Sequence, residues 1–173
     1  MNNLKRGFTL IELLVVIAVL GVLATVVIVA INPFQQLAKT RDAGRVSTVA
    51  QLGQAEISWS TSNNGAFPTA ATWTSTLTAA GEISIVPAAV AYSTGPTNCL
   101  TNVINNTWCH KTTGANGPMI VYARLEATTN NSRCGALNAW AVYSSYDGRG
   151  GIVCSAAEPN APPVAGPGMT FLP

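Results

Sequence analysis

A chain of 173 residues has room for one modest domain and an appendage. Nearly half of it is hydrophobic (48%), yet only 9% is Asp, Glu, Lys or Arg, against about 25% in ordinary globular domains. With a net charge of +2 and no cluster of Lys and Arg, such a surface offers little to nucleic acid and suits crowding beside copies of itself.

The chain opens on a short basic stretch followed by an apolar run. Lys5 and Arg6 account for the whole net charge, because the remainder carries seven cations against seven anions. From Leu13 to Ile31, nineteen residues are apolar except for Thr25 and Gly21. That length meets the roughly 20 residues a bilayer core requires. Positive residues ahead of such a run keep the N-terminus cytoplasmic and send the rest outward. A cleavable secretory signal fits poorly, since the run is too long and neither Ala24 nor Ala30 sits in an Ala-x-Ala exit. A plain single-pass anchor leaves Glu12 unexplained. A carboxylate in lipid is costly without a partner, so Glu12 is either tolerated, through snorkelling or the N-terminal helix dipole, or used.

The string KRGFTLIELLVVIAVLGVLATVV closely resembles the N-terminus of the type IV pilin family, which includes the pseudopilins of type II secretion. The resemblance is specific over about residues 5–31 and beyond them is one of layout. It implies a leader, Met1–Gly7, removed by a membrane-embedded prepilin peptidase, and a new N-methylated terminus at Phe8. Glu12 is then the fifth residue after the cut. Gly7 has no Cβ to obstruct a protease cleft. Cutting there exposes an amine at Phe8, and Glu12 of a neighbouring copy can pair with it, which makes two groups acceptable together and fixes axial register. The resemblance also implies that Gly21 and Pro33 bracket a stretch that unwinds on polymerisation.

Asn32-Pro33 ends the apolar run, and a kink or local unwinding is expected near 29–33. A helical pattern resumes to about Ser60, with Val46, Val49, Ala50, Gly53 and Ile57 forming one apolar stripe. Lys39, Arg41, Asp42 and Arg45 precede the stripe and are expected to stay mostly solvated. Gly44 and Gly53 are weak points in the helix. Residues 62–70, SNNGAFPTA, read as a turn-rich exit. Strands are expected at Met119–Glu126, Ala139–Ser145 and Gly151–Cys154, with YDGRGG at 146–151 as a hairpin turn. A further strand is possible at Ile83–Val86, with turns at Gly95-Pro96 and Gly117-Pro118. The Pro-rich tail from 157 should be extended.

Cys99, Cys109, Cys134 and Cys154 all follow the apolar run, at separations of 10, 25 and 20 residues that match no zinc spacing. Two disulfides in an oxidising compartment are the preferred reading, with buried thiols the alternative. The sequential pairings, Cys99–Cys109 and Cys134–Cys154, are favoured. His110, the only histidine, reads as a surface residue in a disulfide loop. Asp147-Gly148 reads as a turn, because one carboxylate falls far short of the oxygens calcium requires. Lys111, Arg124, Arg133 and Arg149, with Trp108, Trp140 or Tyr143 to stack on bases, are weighed as a DNA patch, although aromatics in a small sheet are more often core. The sequons at Asn105 and Asn130 are of a kind that chance supplies in so Asn-, Ser- and Thr-rich a chain.

The expected fold is α+β, the type IV pilin fold: a long N-terminal helix, transmembrane in its first half, against a small antiparallel sheet with disulfide-closed loops. The expected divisions are the leader 1–7, the membrane half-helix 8–32, the amphipathic half-helix 33–61, the sheet head 62–156 and the tail 157–173. The expected function is that of a structural, non-enzymatic subunit of a type IV pilus, a homopolymer serving motility, adhesion or DNA uptake. A pseudopilin or minor pilin of a secretion or competence system is the alternative, and a membrane-anchored extracytoplasmic binding domain is the alternative of another class. The resemblance implies the prepilin peptidase, an inner-membrane platform and an assembly ATPase as partners. It implies passage from the cytoplasmic membrane to the cell surface. No cofactor, metal or catalytic group is expected.

Overall fold

The computed structural model describes residues 7–88, 92, 108–114, 116–160 and 168–173. The chain divides into two compact units, one up to Leu37 and one from Ala38 onward.

The first unit is dominated by helix α1 (Leu10–Ile31), none of whose residues is buried. Its 22 residues extend about 33 Å, close to the hydrocarbon thickness of a bilayer, and it is apolar enough to span one. A helix suits that solvent because every backbone group is bonded within the segment. Thr25 is satisfied in the same way, its hydroxyl donating to the Val22 carbonyl at 2.7 Å. Gly21 lies inside α1 without interrupting it. The break comes at Asn32, whose backbone is left-handed with φ 46°. A residue before proline is disfavoured in the helical region, and Asn is among the few that tolerate the left-handed one. The Asn32 carbonyl accepts from the amides of Gln35 and Gln36, starting helix α2 (Pro33–Ser62) with proline at its favoured first position.

In the second unit, the α+β arrangement expected from the resemblance is present. Strands β1 (Cys109–Thr112), β2 (Met119–Arg124), β3 (Asn138–Ser144) and β4 (Arg149–Ser155) form one antiparallel sheet in the order β1-β2-β3-β4. One face, with Val121, Ala123 and Tyr143, packs against Val49, Leu52 and Ala55 of α2 and against Trp73 and Leu77 of α3 (Trp73–Ala79). At Gly53 helix and sheet approach closely, since a Cβ there would lie 2.1 Å from the Tyr143 ring. The opposite face, with Ile120, Tyr122, Trp140, Val142 and Val153, packs against Met169 and Phe171 of the C-terminal segment. That segment bridges β4 at Val153↔Phe171, with the Leu172 amide donating to the Ile152 carbonyl at 2.7 Å. A disulfide joins Cys134 to Cys154, Cα to Cα 5.3 Å. Cys109 is also disulfide-bonded, and Cys99, its expected partner, lies outside the described residues.

The structure departs from expectation at several places. Asp42 and Arg45 are buried, not solvated. Asp42 accepts the backbone amides of Glu126 at 3.0 Å and Ala127 at 2.9 Å, and the side-chain amide of Asn130 at 2.8 Å. Arg45 lies 2.7 Å from Asp42 and 3.1 Å from Glu126, which Arg41 also contacts. The segment leading into α4 (Thr128–Arg133) leaves orphan amides against α2, and a carboxylate with its own cation meets that need. Ile83–Val86 forms no strand, while α3, α4 and β1 were not anticipated. In the β3–β4 turn, Gly148 alone has positive φ, at 63°, and Gly150 and Gly151 are extended within β4.

Gly53 and Gly44 make a paired test. Gly53→Ala should lower unfolding stability by about 1–3 kcal/mol through overpacking on Tyr143. Gly44→Ala, whose Cβ meets nothing within 4 Å, should raise stability by up to about 1 kcal/mol. Denaturant unfolding of the detergent-solubilised chain reads both, and equal effects would contradict the packing described.

Candidate processing and assembly site

The residues around the expected cleavage point form a helix cap. Thr9 is the N-cap of α1, with extended backbone (φ −82°, ψ 151°), and its hydroxyl accepts the Glu12 amide at 3.3 Å. The Glu12 carboxylate reaches back to the Thr9 amide at 2.9 Å and the Thr9 hydroxyl at 2.8 Å. This reciprocal arrangement is a capping box, which satisfies orphan donors of the first turn and sets a negative charge at the positive end of the helix dipole. Phe8, just before it, is 83% exposed, and Gly7 has no atom within 4 Å of where a Cβ would stand. Space around Gly7 in the free chain therefore does not demand glycine. From Leu13 to Ala38 no side chain carries a charge, so Glu12 and the amine that a cut at Gly7 would create are the ionic groups of this region.

The family model for the prokaryotic N-terminal methylation motif matches residues 2–28. A fimbrial protein of Neisseria meningitidis is 37% identical over 71 residues, 38% of this chain and 42% of that protein. The type IV major pilin protein PilE1 of Neisseria gonorrhoeae is likewise 37% identical over 71 residues, covering 38% of this chain and 43% of its own length. The N-terminal part of the chain is thus similar to type IV pilins. The match spans less than half the length of these curated relatives, and no solved structure matches.

In this chain the other candidates are drawn into the head's own packing. His110 is a correction: it is buried on β1, not on the surface, and its Nε2 lies 3.0 Å from the Glu56 carboxylate of α2. The Trp73 ring stacks on the imidazole, centroids 5.4 Å apart. Strand alternation explains the placement, because Cys109 and Lys111 point to the outer face and His110 between them points at α2. Neither residue of this pair was legible as a partner, since 54 positions separate them.

Of the cations weighed for DNA, Lys111 pairs with Glu158 at 3.3 Å and Arg124 donates to Asn138 at 2.6 Å. Arg133 donates to the Pro173 carbonyl, and Arg149 lies over the Phe171 ring at 4.4 Å. Trp108 and Tyr143 belong to the helix-side core and Trp140 to the opposite cluster. Asp147 accepts from the Ser144 hydroxyl and the Met169 amide, which ties the turn to the C-terminal segment. Asn130, in its sequon, is committed to Asp42. The sequon at Asn105 lies outside the described residues.

Burial pushes the Glu56 carboxyl above its ordinary value of 4.5, and the hydrogen bond and charge of His110 pull it only part of the way back. A carboxyl raised on folding holds its proton more tightly folded than unfolded. Its contribution therefore favours the fold most below the unfolded value and declines as pH rises through the raised one. Glu56→Gln keeps hydrogen-bonding capacity and removes the titration. The melting temperature of the variant relative to the parent should accordingly climb between pH 4 and 7. A difference that stays flat across that range would contradict this assignment.

Proposed function

We propose that this protein is a pilin, the structural subunit of a type IV pilus, cut between Gly7 and Phe8, N-methylated at Phe8 and polymerised through its apolar N-terminal helix. The observation that carries the reading is Glu12: one carboxylate within an otherwise uncharged membrane-length segment, in a matched methylation motif. In the single chain it has only its own helix end for a partner. In a fibre, the Phe8 amine of an adjacent copy completes the pair. The relatives are named a fimbrial protein and a major pilin, which favours a pilus subunit over a secretion pseudopilin.

The family is a structural one, and the role proposed is structural, without catalysis. The subunit waits in the cytoplasmic membrane through α1 and passes into an extracellular fibre. A prepilin peptidase, an inner-membrane platform and an assembly ATPase serve it on the way. Gly21 and Pro33 are the places where the helix would loosen on assembly, and the divisions at 1–7, 8–32, 33–61, 62–156 and 157–173 describe its working parts.

Two measurements test the reading. Mass spectrometry of the mature protein should find a methylated Phe8 at the N-terminus; an intact Met1, or a cut after residue 30, would sink the proposal. Glu12→Gln is a clean second test, because glutamine also serves in a capping box and only the charge is lost. The variant should be cut normally, accumulate in the membrane and give few or no sheared fibres. Normal fibre yield would mean that the carboxylate is tolerated and not used.

A further inference from the structure

Every Asp, Glu, Lys, Arg and His after Arg6 lies within the described residues. Asp42, Arg41, Arg45 and Glu126 neutralise one another, Glu56 faces His110, and Lys111 faces Glu158. Asp147 is held by Ser144 and Met169. Arg124, Arg133 and Arg149 are engaged by Asn138, Pro173 and Phe171. Glu12 is held by Thr9. One cation and one anion remain among the described residues without an internal partner: Lys39, exposed on α2, and Glu82, partly exposed just after α3.

Each of the two lines a shallow groove. The Lys39 groove runs past Ala43, Val46 and Ser47 of α2 to Thr129 and Ile152. The Glu82 groove runs past Gln51, Gln54 and Ser58 of α2 to Ile83. Apart from Asp42, which is occupied by its own partners, the linings carry no other charge. In a chain whose other charged groups among the described residues each have an internal partner, one group of each sign without one, lining two grooves along α2, is a complementary pair awaiting a second copy.

We propose that Lys39 and Glu82 form an ion pair between neighbouring subunits, seating the edge of one groove against the other; this rests on the filament reading above. Lys39 stands roughly 20 Å along the α2 axis from the middle of the Glu82 groove, at about 1.5 Å per residue. Copies anchored through the same N-terminal segment share one orientation. Side by side at equal height they present Lys39 to Lys39 and Glu82 to Glu82. Opposite charges meet only when one copy is displaced along the helix, and that contact joins two different patches. Such a heterologous contact does not close on itself, and it generates an open series. The pair therefore selects the staggered arrangement against the level one, and like-charge juxtaposition opposes the level one further.

The test is a charge swap in cells that assemble the full chain, read as sheared fibre relative to the cellular pool. Lys39→Glu and Glu82→Lys should each lower fibre yield by roughly tenfold, as attraction between exposed groups becomes repulsion. The double variant, with the signs exchanged, should recover at least half of the parental yield. Melting temperatures should stay close to the parent's in all three, because neither side chain has a partner among the described residues. Singles that assemble like the parent, or a double no better than the singles, would overturn the pair and leave the filament reading standing. A parental chain that is cut yet never found in fibres would overturn both.

Discussion

The structure depends on one constraint: consecutive helical residues have to satisfy two solvents. α1 exposes its whole circumference, which only lipid or other apolar helices can accommodate, while α2 from Ala38 onward buries one side. Neither could take the other's place. The helix breaks at Asn32-Pro33, just before the first buried residue at Ala38, where the chain leaves one helix through a left-handed residue and enters the next through a proline. Both residues suit that position, Asn because its side chain and carbonyl serve the new helix, Pro because its missing amide would have been an orphan.

The same division accounts for where polar chemistry is allowed. In the membrane-length segment a carboxylate stands only where a helix end and a hydroxyl can receive it, at Thr9. In the head, charged groups are used as internal fittings. Asp42 gathers the amides of the chain entering α4, and Arg45 beneath it cancels the charge so that the arrangement can be buried. Breaking such a pair is more costly than never having had it, so its value lies in holding this segment at one place on α2.

Much of this was legible in the residues. The apolar run, the Gly7-Phe8 junction and Glu12 stand within a few positions of one another, and local spacing carried the reading. The β2 and β3 strands announced themselves by β-branched and aromatic residues, and the apolar stripe of α2 by its period. Long-range partners were not legible. Asp42 and Arg45 look like a solvated pair until residues 125–127 arrive, and His110 looks exposed until Glu56 faces it. α3 escaped because its Thr- and Ser-rich sequence has weak helical propensity, and it is held by the burial of Trp73 and Leu77. The short strand β1 follows a stretch of polar residues that gives no alternation to read.

The tail has a consequence for crowding. Wherever many copies stand close together, exposed strand edges recruit one another. At β4, the outermost strand on its side of the sheet, Phe171 and Leu172 already occupy that edge, and Asp147 and Arg149 hold the approach. The chain's own end thus works as a selvedge, guarding the head against strand-to-strand aggregation along that side.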